Sequence, residues 1–354
     1  MKYSISTGLI FLLAVLTACK KPAPPDPLCS YEPVPQTTRL ESGLGAVEVI
    51  GTTGEYFYLR DRANKQVASG ALNGAVGVRP GEYTALLNNS THAVFVEEDR
   101  LTKCGCGSVQ AIGGTVEYYY VLDSAGKQLA SATLGKAISL FPDSFTVKLN
   151  NTTMPVDIKA GGPAMLHAGL LEVTGTTNEY YYVLDSAGTQ LASATLQKST
   201  ALFRGTWTVK VNNTTVPVEI KPGETASLQT GTLMVRGTTS EYYYVLNDAG
   251  TQLASAQLDK ATALLPGTYR IKLNNSIAPA TVTPSQVTDL ATGTVTAKKA
   301  GSDYYYVLDD KGTQLASSQV NRPSALLSGQ YTVRVGESKK LATVNAGKDT
   351  TLVF

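Results

Sequence analysis

The residues that could carry chemistry are few and scattered. The 354-residue chain has four cysteines and two histidines, and His92 and His167 share no metal-ligand spacing with the cysteines. The sequence contains no Ser-His-acid set, no phosphate-binding glycine loop and no paired-carboxylate motif. Lysine and arginine total 30 against 28 aspartates and glutamates, a balance that gives no nucleic-acid footprint. We therefore predict no catalytic site, no cofactor, no metal and no nucleic-acid partner.

Two recurring polar motifs could suggest a ligand, but turns explain them better. Asp-x-x-Gly segments at 123–126 and 185–188 lack the alternating acidic ladder and the distal glutamate of a calcium loop. We predict that they are hairpin turns with glycine at a positive φ. The asparagine pairs create glycosylation sequons, but asparagine also tolerates left-handed backbone, which makes turns the simpler interpretation. These pairs are Asn88-Asn89, Asn150-Asn151, Asn212-Asn213 and Asn274-Asn275.

The N-terminus has the layout of an export signal. Lys2 supplies a positive start, residues 5–15 form an apolar run too short to span a bilayer, and small residues follow. The segment ends Leu16-Thr17-Ala18-Cys19, which resembles the lipobox of bacterial lipoproteins. An ordinary secretory signal with a chance cysteine is the alternative.

The resemblance to lipoproteins implies a lipid anchor. It implies that a signal peptide, residues 1–18, is removed, that Cys19 is diacylated on sulfur, and that the protein stays attached to a membrane. Lys20 stands where enteric-type lipoproteins of the inner membrane have aspartate, which favours the outer membrane. Residues 19–44 would then form a tether, stiffened by the prolines between positions 22 and 27.

A repeat of fixed length dominates the rest of the chain. The string Glu-Tyr-Tyr-Tyr-Val-Leu begins at Glu117, Glu179 and Glu241, variants of it begin at Glu55 and Asp303, and successive starts lie 62 residues apart. The repeat divides the sequence into five copies, numbered 1 to 5. They span 45–106, 107–168, 169–230, 231–292 and 293–354.

Copy 3 illustrates the strand pattern within a copy. Turn signals separate short strand-like runs at 171–174, 179–184, 190–196, 200–203, 206–211, 216–221 and 225–229. Such a series predicts a small β-sandwich. The predicted fold is therefore all-β, a linear array of five β-sandwich modules. A five-bladed propeller is the alternative because propellers also have fixed-period repeats, although their blades use four strands and are usually shorter.

One segment of the repeat resembles a known module. The run Leu-Pro-Gly-Thr-Tyr-Arg-Ile-Lys-Leu at 265–273 is similar to the strand pair of bacterial PEGA-like and carboxypeptidase-regulatory-like modules. These are small β-sandwich repeats on exported proteins. The resemblance implies a structural or binding module rather than an enzyme.

Copy 1 indicates which face of the tyrosine-rich strand is buried. Phe57 replaces the middle tyrosine, and Arg60, a residue type that is rarely fully buried, stands where the other copies have leucine. Since side chains alternate along a strand, we predict a core face with Phe57 and an outer face with Tyr56, Tyr58 and Arg60. The outer tyrosines could bind a glycan or a protein, but packing on the neighbouring copy or across the edge of the sandwich is the interpretation we favour. They are Tyr118, Tyr120, Tyr180, Tyr182, Tyr242, Tyr244, Tyr304 and Tyr306.

Three cysteines remain if Cys19 is lipidated, and an exported protein can oxidise them. Cys104 stands at a position that is leucine in copies 2 to 5, which predicts a core position. We expect a disulfide from Cys29 to Cys104 or to Cys106, which leaves one thiol over. Buried cysteines without a disulfide are the alternative.

These observations favour a non-enzymatic, lipid-anchored modular protein of the cell envelope. Five similar copies offer repeated equivalent surfaces, whereas an enzyme usually needs one asymmetric site. We expect a surface stalk, adhesin or structural spacer at the outer membrane, whose partners would be the membrane and a glycan or envelope protein. A periplasmic lipoprotein that binds cell wall or another polysaccharide is the alternative.

Overall fold

The computed structural model describes residues 26–35 and 40–354 of the chain. Across these two ranges the chain folds into 36 strands in ten sheets, and the prediction of an all-β protein is confirmed. The described residues include no helix long and apolar enough to cross a membrane. Strand β1 (Cys29–Pro33) precedes copy 1, and each copy then contributes seven strands.

The seven strands recur in the same order in every copy. Copy 1 contains β2 (Gly45–Ile50), β3 (Tyr56–Arg60), β4 (Gln66–Ala71), β5 (Val76–Val78), β6 (Gly81–Leu87), β7 (Ser90–Val96) and β8 (Arg100–Gly105). Copy 2 contains β9 (Gly107–Ile112), β10 (Tyr118–Leu122), β11 (Gln128–Thr133), β12 (Ala137–Leu140), β13 (Asp143–Leu149), β14 (Thr152–Ile158) and β15 (Pro163–His167). Copy 3 contains β16 (Gly169–Thr174), β17 (Tyr180–Leu184), β18 (Gln190–Thr195), β19 (Ser199–Leu202), β20 (Gly205–Val211), β21 (Thr214–Ile220) and β22 (Thr225–Gln229).

Copies 4 and 5 complete the series. Copy 4 contains β23 (Gly231–Arg236), β24 (Tyr242–Leu246), β25 (Gln252–Gln257), β26 (Ala261–Leu264), β27 (Gly267–Leu273), β28 (Ser276–Val282) and β29 (Val287–Ala291). Copy 5 contains β30 (Gly293–Lys298), β31 (Tyr304–Leu308), β32 (Gln314–Gln319), β33 (Ser324–Leu326), β34 (Gly329–Val335), β35 (Ser338–Val344) and β36 (Asp349–Val353).

Two sheets enclose the core of each copy. In copy 2 the four-stranded sheet has the order β11-β10-β13-β14, the three-stranded sheet has the order β12-β9-β15, and the other copies repeat this arrangement. The first and seventh strands of each copy pair in parallel, as β9 and β15 do, and the neighbouring pairs are antiparallel. Each copy is therefore a β-sandwich, as predicted. The propeller alternative is wrong, because a propeller blade is a single four-stranded sheet.

The described residues divide into two compact units. The first unit consists of the described residues up to Ile50, Gly54–Leu86 and Thr91–Gly105. The second unit consists of Gly51–Thr53, Leu87–Ser90 and Cys106–Phe354, and so contains the whole of copies 2 to 5.

A buried tyrosine joins the two sheets in each of copies 2 to 5. The middle residue of the tyrosine triplet is fully buried in all four copies, and in copy 3 this residue is Tyr181. Its hydroxyl lies 2.8 Å from the carbonyl oxygen of Lys198 and 2.9 Å from Oγ1 of Thr200, which belongs to the opposite sheet. Burial raises the pKa of Tyr181, and likewise of Tyr305, to about 12, so both phenols stay neutral at physiological pH. Phe57 fills the same place in copy 1.

The first residue of every copy is a glycine because the backbone of the same copy passes against it. A Cβ on Gly107 would lie 2.1 Å from the carbonyl oxygen of Lys159, in the turn that leads to the seventh strand. The corresponding distances in the other copies are equally short, between 2.1 and 2.4 Å. The turn is held there by a 3.0 Å hydrogen bond from Gly161 N to Cys106 O. Any larger residue would force the first strand and this turn apart.

The segment before copy 1 is more than a tether. Strand β1 pairs antiparallel with β8 and adds a fourth strand to the smaller sheet of copy 1, in the order β1-β8-β2-β5. A disulfide joins Cys29 of β1 to Cys104 of β8, which face each other in the register. The sequence-based expectation of an extended tether over the whole of 19–44 is therefore wrong for Cys29–Pro33. Cys104 is fully buried, and Cys106, also buried, is not part of the disulfide.

We predict that Gly107→Ala destabilises copy 2 by at least about 2 kcal/mol, because a Cβ cannot fit beside the carbonyl of Lys159. Gly162→Ala is the matched control, since nothing lies within 4 Å of a Cβ at that position. Hydrogen exchange of peptides from copy 2, followed by mass spectrometry, measures the change. Equal loss of protection in the two variants would contradict the close approach.

We predict that Cys29→Ser lowers the stability of the first unit by about 4 kcal/mol, the order expected for a disulfide closing a loop of this length. The cross-link spans 75 residues. Hydrogen exchange should increase in copy 1 while copies 3 to 5 keep their protection. Peptide mapping without reduction should show Cys29 linked to Cys104, and a link to Cys106 would refute the assignment.

Candidate functional site

The tyrosine-rich strands place their side chains on two faces, in the alternation that the sequence predicts. The first outer tyrosine is strongly exposed in every copy, between 55% and 59%, at Tyr56, Tyr118, Tyr180, Tyr242 and Tyr304. Packing on the neighbouring copy or across the edge of the sandwich, the interpretation favoured from the sequence, is therefore wrong for this set. The second outer tyrosines are more covered: Tyr120, Tyr182 and Tyr306 are half-buried, and Tyr58 and Tyr244 are exposed.

The last position of this outer face is less exposed to solvent than the presence of Arg60 in copy 1 suggests. Arg60 is half-buried, as are Leu122 and Leu184, the residues at the same position in copies 2 and 3. Leu246 and Leu308, their counterparts in copies 4 and 5, are buried. The face therefore exposes its first tyrosine and becomes progressively covered toward the end of the strand.

A cation stands beside the second outer tyrosine in copies 2 to 5. Tyr120 is the cross-strand partner of Lys148, and the same pairing joins Tyr182 to Lys210, Tyr244 to Lys272 and Tyr306 to Arg334. In copy 5 the guanidinium carbon of Arg334 lies 5.1 Å from the centre of the Tyr306 ring. The outer face of each sheet therefore combines aromatic surface with positive charge.

A groove opens where copies 2 and 3 meet, within the second unit. Its volume is about 740 Å³, and both copies line it. Copy 2 contributes the two outer tyrosines together with Gln128 and Lys148, and copy 3 contributes Leu191. The same residue types stand at the corresponding positions of the next two junctions: Tyr180, Tyr182, Gln190, Lys210 and Leu253, then Tyr242, Tyr244, Gln252, Lys272 and Leu315.

A glutamate and an asparagine of one copy hold the next copy in place. We call this set of contacts the junction clip; between copies 2 and 3 it consists of Glu117, Asn150 and the backbone of Ala201. Glu117 accepts hydrogen bonds of 2.8 Å from Ala201 N and 3.1 Å from Asn150 Nδ2, and Asn150 Nδ2 also donates to Ala201 O at 2.8 Å. The carboxylate is thus fully engaged by donors on both sides of the junction.

The junction clip recurs at the next two junctions. Between copies 3 and 4 it consists of Glu179, Asn212 and Ala263, and Ala263 N donates to the carboxylate at 2.6 Å. Between copies 4 and 5 it consists of Glu241, Asn274 and Ala325, with a corresponding distance of 2.7 Å. Three junctions thus use the same atoms for the same contacts.

Apolar side chains from the next copy seal each junction beneath the clip. Ala201 and Phe203 of copy 3 belong to the buried cluster that forms the core of copy 2. Ala263 and Leu265 enter the core of copy 3 in the same way, and Ala325 and Leu327 enter the core of copy 4. The backbone N–H of Phe203 also donates to Thr152 Oγ1 of copy 2 at 3.0 Å. The cores of copies 2, 3 and 4 are therefore each completed by the copy that follows.

Copy 5 departs from the clip pattern. Asp303 replaces the glutamate and is exposed, and its carboxylate pairs with Lys299 of the same copy at 2.6 Å. Gly336-Glu337 replaces the asparagine pair. Copy 5 therefore lacks both side chains that form the clip in copies 2, 3 and 4.

The acidic turns and the asparagine pairs are structural, as predicted. Oδ1 of Asp185 accepts hydrogen bonds from the backbone N–H groups of Ala187 and Thr189, at 2.9 and 2.8 Å, and Gly188 has a φ of 81°. The Asp185 carboxylate therefore accepts hydrogen bonds within its own hairpin, in an arrangement that resembles an Asx turn. The first asparagine of each pair has a left-handed φ near 50°, at Asn88, Asn150, Asn212 and Asn274.

His92 lies near a cysteine after all, although the sequence spacing gives no sign of it. Its Nε2 is 2.7 Å from Oδ2 of Asp26, and Asp26, Cys29 and His92 bring their potential ligand atoms within 4.8 Å of one another. The sulfur of Cys29 is bonded to Cys104, so it does not offer the thiolate that a metal ion prefers. His167 is not part of this group.

Cys19 and the signal segment lie outside the described residues, so lipidation of Cys19 stays a prediction. Sequence reasoning missed the clip residues, although their signal was present. Copies 2, 3 and 4 have the same glutamate at the position of Glu117 and the same asparagine at the position of Asn150. These side chains face neither the core of their own copy nor open solvent. The asparagine pair predicts a turn, and a turn does not reveal that the side-chain amide of its first asparagine reaches the next copy.

We predict that Glu179→Ala destabilises copy 3 by about 2 kcal/mol, because it leaves the N–H of Ala263 and the amide of Asn212 without their charged acceptor. The single tryptophan, Trp207, lies in copy 3, so its fluorescence during urea unfolding reports the change. Glu224→Ala, at an exposed carboxylate of the same copy, is the control and should stay within about 0.5 kcal/mol. A similar midpoint for both variants would mean that the clip contributes little.

Comparisons with known proteins find distant likeness only. No protein-family model and no curated protein sequence matches the chain. Among solved structures, the TIE protein of Bacillus anthracis is 12% identical, with 90% of this chain and 76% of that one covered, at a TM-score of 0.17. The major pilin subunit BcpA of Bacillus cereus is 11% identical, with coverage of 88% and 98%, at a TM-score of 0.17.

The third similar structure is the pilus adhesin SpaC of Lactobacillus rhamnosus GG in an open conformation. It is 9% identical, with 77% of this chain and 46% of that one covered, at a TM-score of 0.16.

Proposed function

We propose that the chain is a non-catalytic, lipid-anchored modular protein of the bacterial cell envelope, in which serial β-sandwich modules act as a spacer at the outer membrane. Cys19 would carry the lipid, and the modules would project into the space beyond it. This role needs copies that fold alike and join alike, and it needs no reactive centre.

The observation that carries the proposal is the identity of the three junctions. The same glutamate, asparagine and backbone atoms make the same hydrogen bonds each time, and the same two apolar positions enter the preceding core. Repeated junctions of this kind add length by adding equal units, as in other repeat proteins. Selection on an enzyme site would instead be expected to make one copy differ from the rest.

The anchor part of the proposal rests on the sequence. The positive start, the short apolar run and Leu16-Thr17-Ala18-Cys19 together have the layout of a lipoprotein signal. Two or more acyl chains on one cysteine attach a protein stably, which suits a spacer that must not leave its membrane. Lys20 supports the outer membrane, since it replaces the aspartate of the enteric retention signal.

We predict that cells fed labelled palmitate incorporate the label into this protein and that Cys19→Ser abolishes incorporation. Cys106→Ser is the matched control, because it removes a different thiol and should leave labelling intact. Label retained in Cys19→Ser would refute the anchor at this residue.

Protease treatment of intact cells then tests the location. Loss of the modules, with periplasmic marker proteins intact, supports a spacer or adhesin on the cell surface. Protection of modules that the same protease cleaves when purified contradicts surface exposure and places them in the periplasm.

A further inference from the structure

The exposed first tyrosine is a feature that the fold does not require. Within each Glu-Tyr-Tyr-Tyr string, the glutamate forms the junction clip and the middle tyrosine bridges the sheets. The first tyrosine, such as Tyr180, is more than half exposed, and its hydroxyl makes no hydrogen bond to the described residues. The same tyrosine is exposed in all five copies, so the chain presents a series of equivalent aromatic surfaces to solvent.

The groove at the junction gives this tyrosine a set of polar neighbours. In the groove between copies 2 and 3, the rings of Tyr118 and Tyr120 lie with the exposed amide of Gln128 and the ammonium group of Lys148. An aromatic surface with a few convergent polar groups is the usual composition of a small-molecule or saccharide subsite. Tyrosine suits it, since the ring offers a flat contact area at a low entropy cost.

The groove between copies 2 and 3 is lined by one cation, Lys148, and one carboxylate, Glu117. Lys148, Lys210 and Lys272 are half-buried, and none of the three forms an ion pair with another described residue. The one acidic residue of the lining, Glu117, has both carboxylate oxygens occupied by the donors of the junction clip. The lysine is therefore the group left to attract a ligand, and it would attract an anion.

From these contacts we infer that the groove between copies 2 and 3, and the surfaces formed by the same residue types at the next two junctions, are binding sites for an acidic polysaccharide. A sugar ring stacks on the first tyrosine, its carboxylate lies against the lysine, and its hydroxyls bond to the glutamine. The chemistry shared by the sites is that of a uronic acid. This activity goes beyond a spacer and does not depend on the lipid anchor.

Three equivalent sites on one chain suit a polymer with a repeating unit. A single subsite of this kind would be weak, but a polymer engaged at several junctions gains an effective concentration for each further contact. Because the sites lie at the junctions, their spacing along the chain is fixed by the clips, and only polymers that can reach successive grooves benefit fully.

The test measures binding of polygalacturonate to the purified full chain by biolayer interferometry, with dextran as the neutral polymer. We expect saturable binding of polygalacturonate that weakens with added salt, and much weaker binding of dextran. The triple variant Tyr118→Ala, Tyr180→Ala, Tyr242→Ala should lower the affinity more than tenfold. Since these rings are exposed, the variant should keep the circular dichroism of the parent chain.

A second pair of variants separates a built site from general electrostatic attraction. The groove set Lys148→Gln, Lys210→Gln, Lys272→Gln should lower the affinity more than tenfold. The control set Lys136→Gln, Lys198→Gln, Lys260→Gln removes the same charge from exposed positions outside the groove, one in each copy, and should change the affinity less than twofold. No saturable binding of polygalacturonate, or an equal loss in both lysine sets, would overturn the inference while leaving the palmitate and protease results of the spacer proposal untouched.

Discussion

The interaction on which the second unit depends is a glutamate carboxylate shared between one copy and the next. The two donors to this carboxylate, a backbone N–H and a side-chain amide, are both common in proteins. What matters is that one donor belongs to the following copy, so the charge is satisfied only when two copies are in register. The apolar residues beneath the clip act in the same sense, because the cores of copies 2, 3 and 4 each lack two side chains until the following copy supplies them. The contacts that stabilise each junction therefore also fix the register of one copy against the next.

In copies 2, 3 and 4 the string Glu-Tyr-Tyr-Tyr-Val-Leu, the tyrosine-rich strand with the glutamate before it, places its side chains in three different environments. Because neighbouring side chains of a strand point to opposite faces, the first and third tyrosines share a face, and the second points into the core. The glutamate just before the strand reaches the junction. Each of these positions is therefore subject to a different physical constraint. Packing constrains the middle tyrosine, hydrogen bonding across the junction constrains the glutamate and, in our proposal, ligand binding constrains the first tyrosine.

The strand pattern could be predicted from the sequence because turn residues and alternation are local signals. In copy 3 the predicted runs and the observed strands differ by one or two residues, as at 200–203 against Ser199–Leu202. Pairing is not local, and neither the parallel contact of the first and seventh strands nor the addition of β1 to copy 1 has a signature in composition. The Phe57 substitution revealed the buried face, but the exposure of Tyr118 could not be derived, because it depends on how close the next copy comes. The proximity of His92 to Cys29 could not be predicted either, because it depends on the pairing of β1 with β8.

The uniformity of the clips has a consequence for how such a chain can change over generations. Copies 2, 3 and 4 each present the glutamate and asparagine to a following copy, and copies 3, 4 and 5 each present the alanine backbone and apolar pair to a preceding one. An unequal crossover between the coding segments of copies 2 and 3 or copies 3 and 4 would therefore insert or remove a whole unit and leave every resulting junction with a complete set of donors and acceptors. Length becomes a heritable variable that recombination can adjust in steps of one module, with no new interface to evolve.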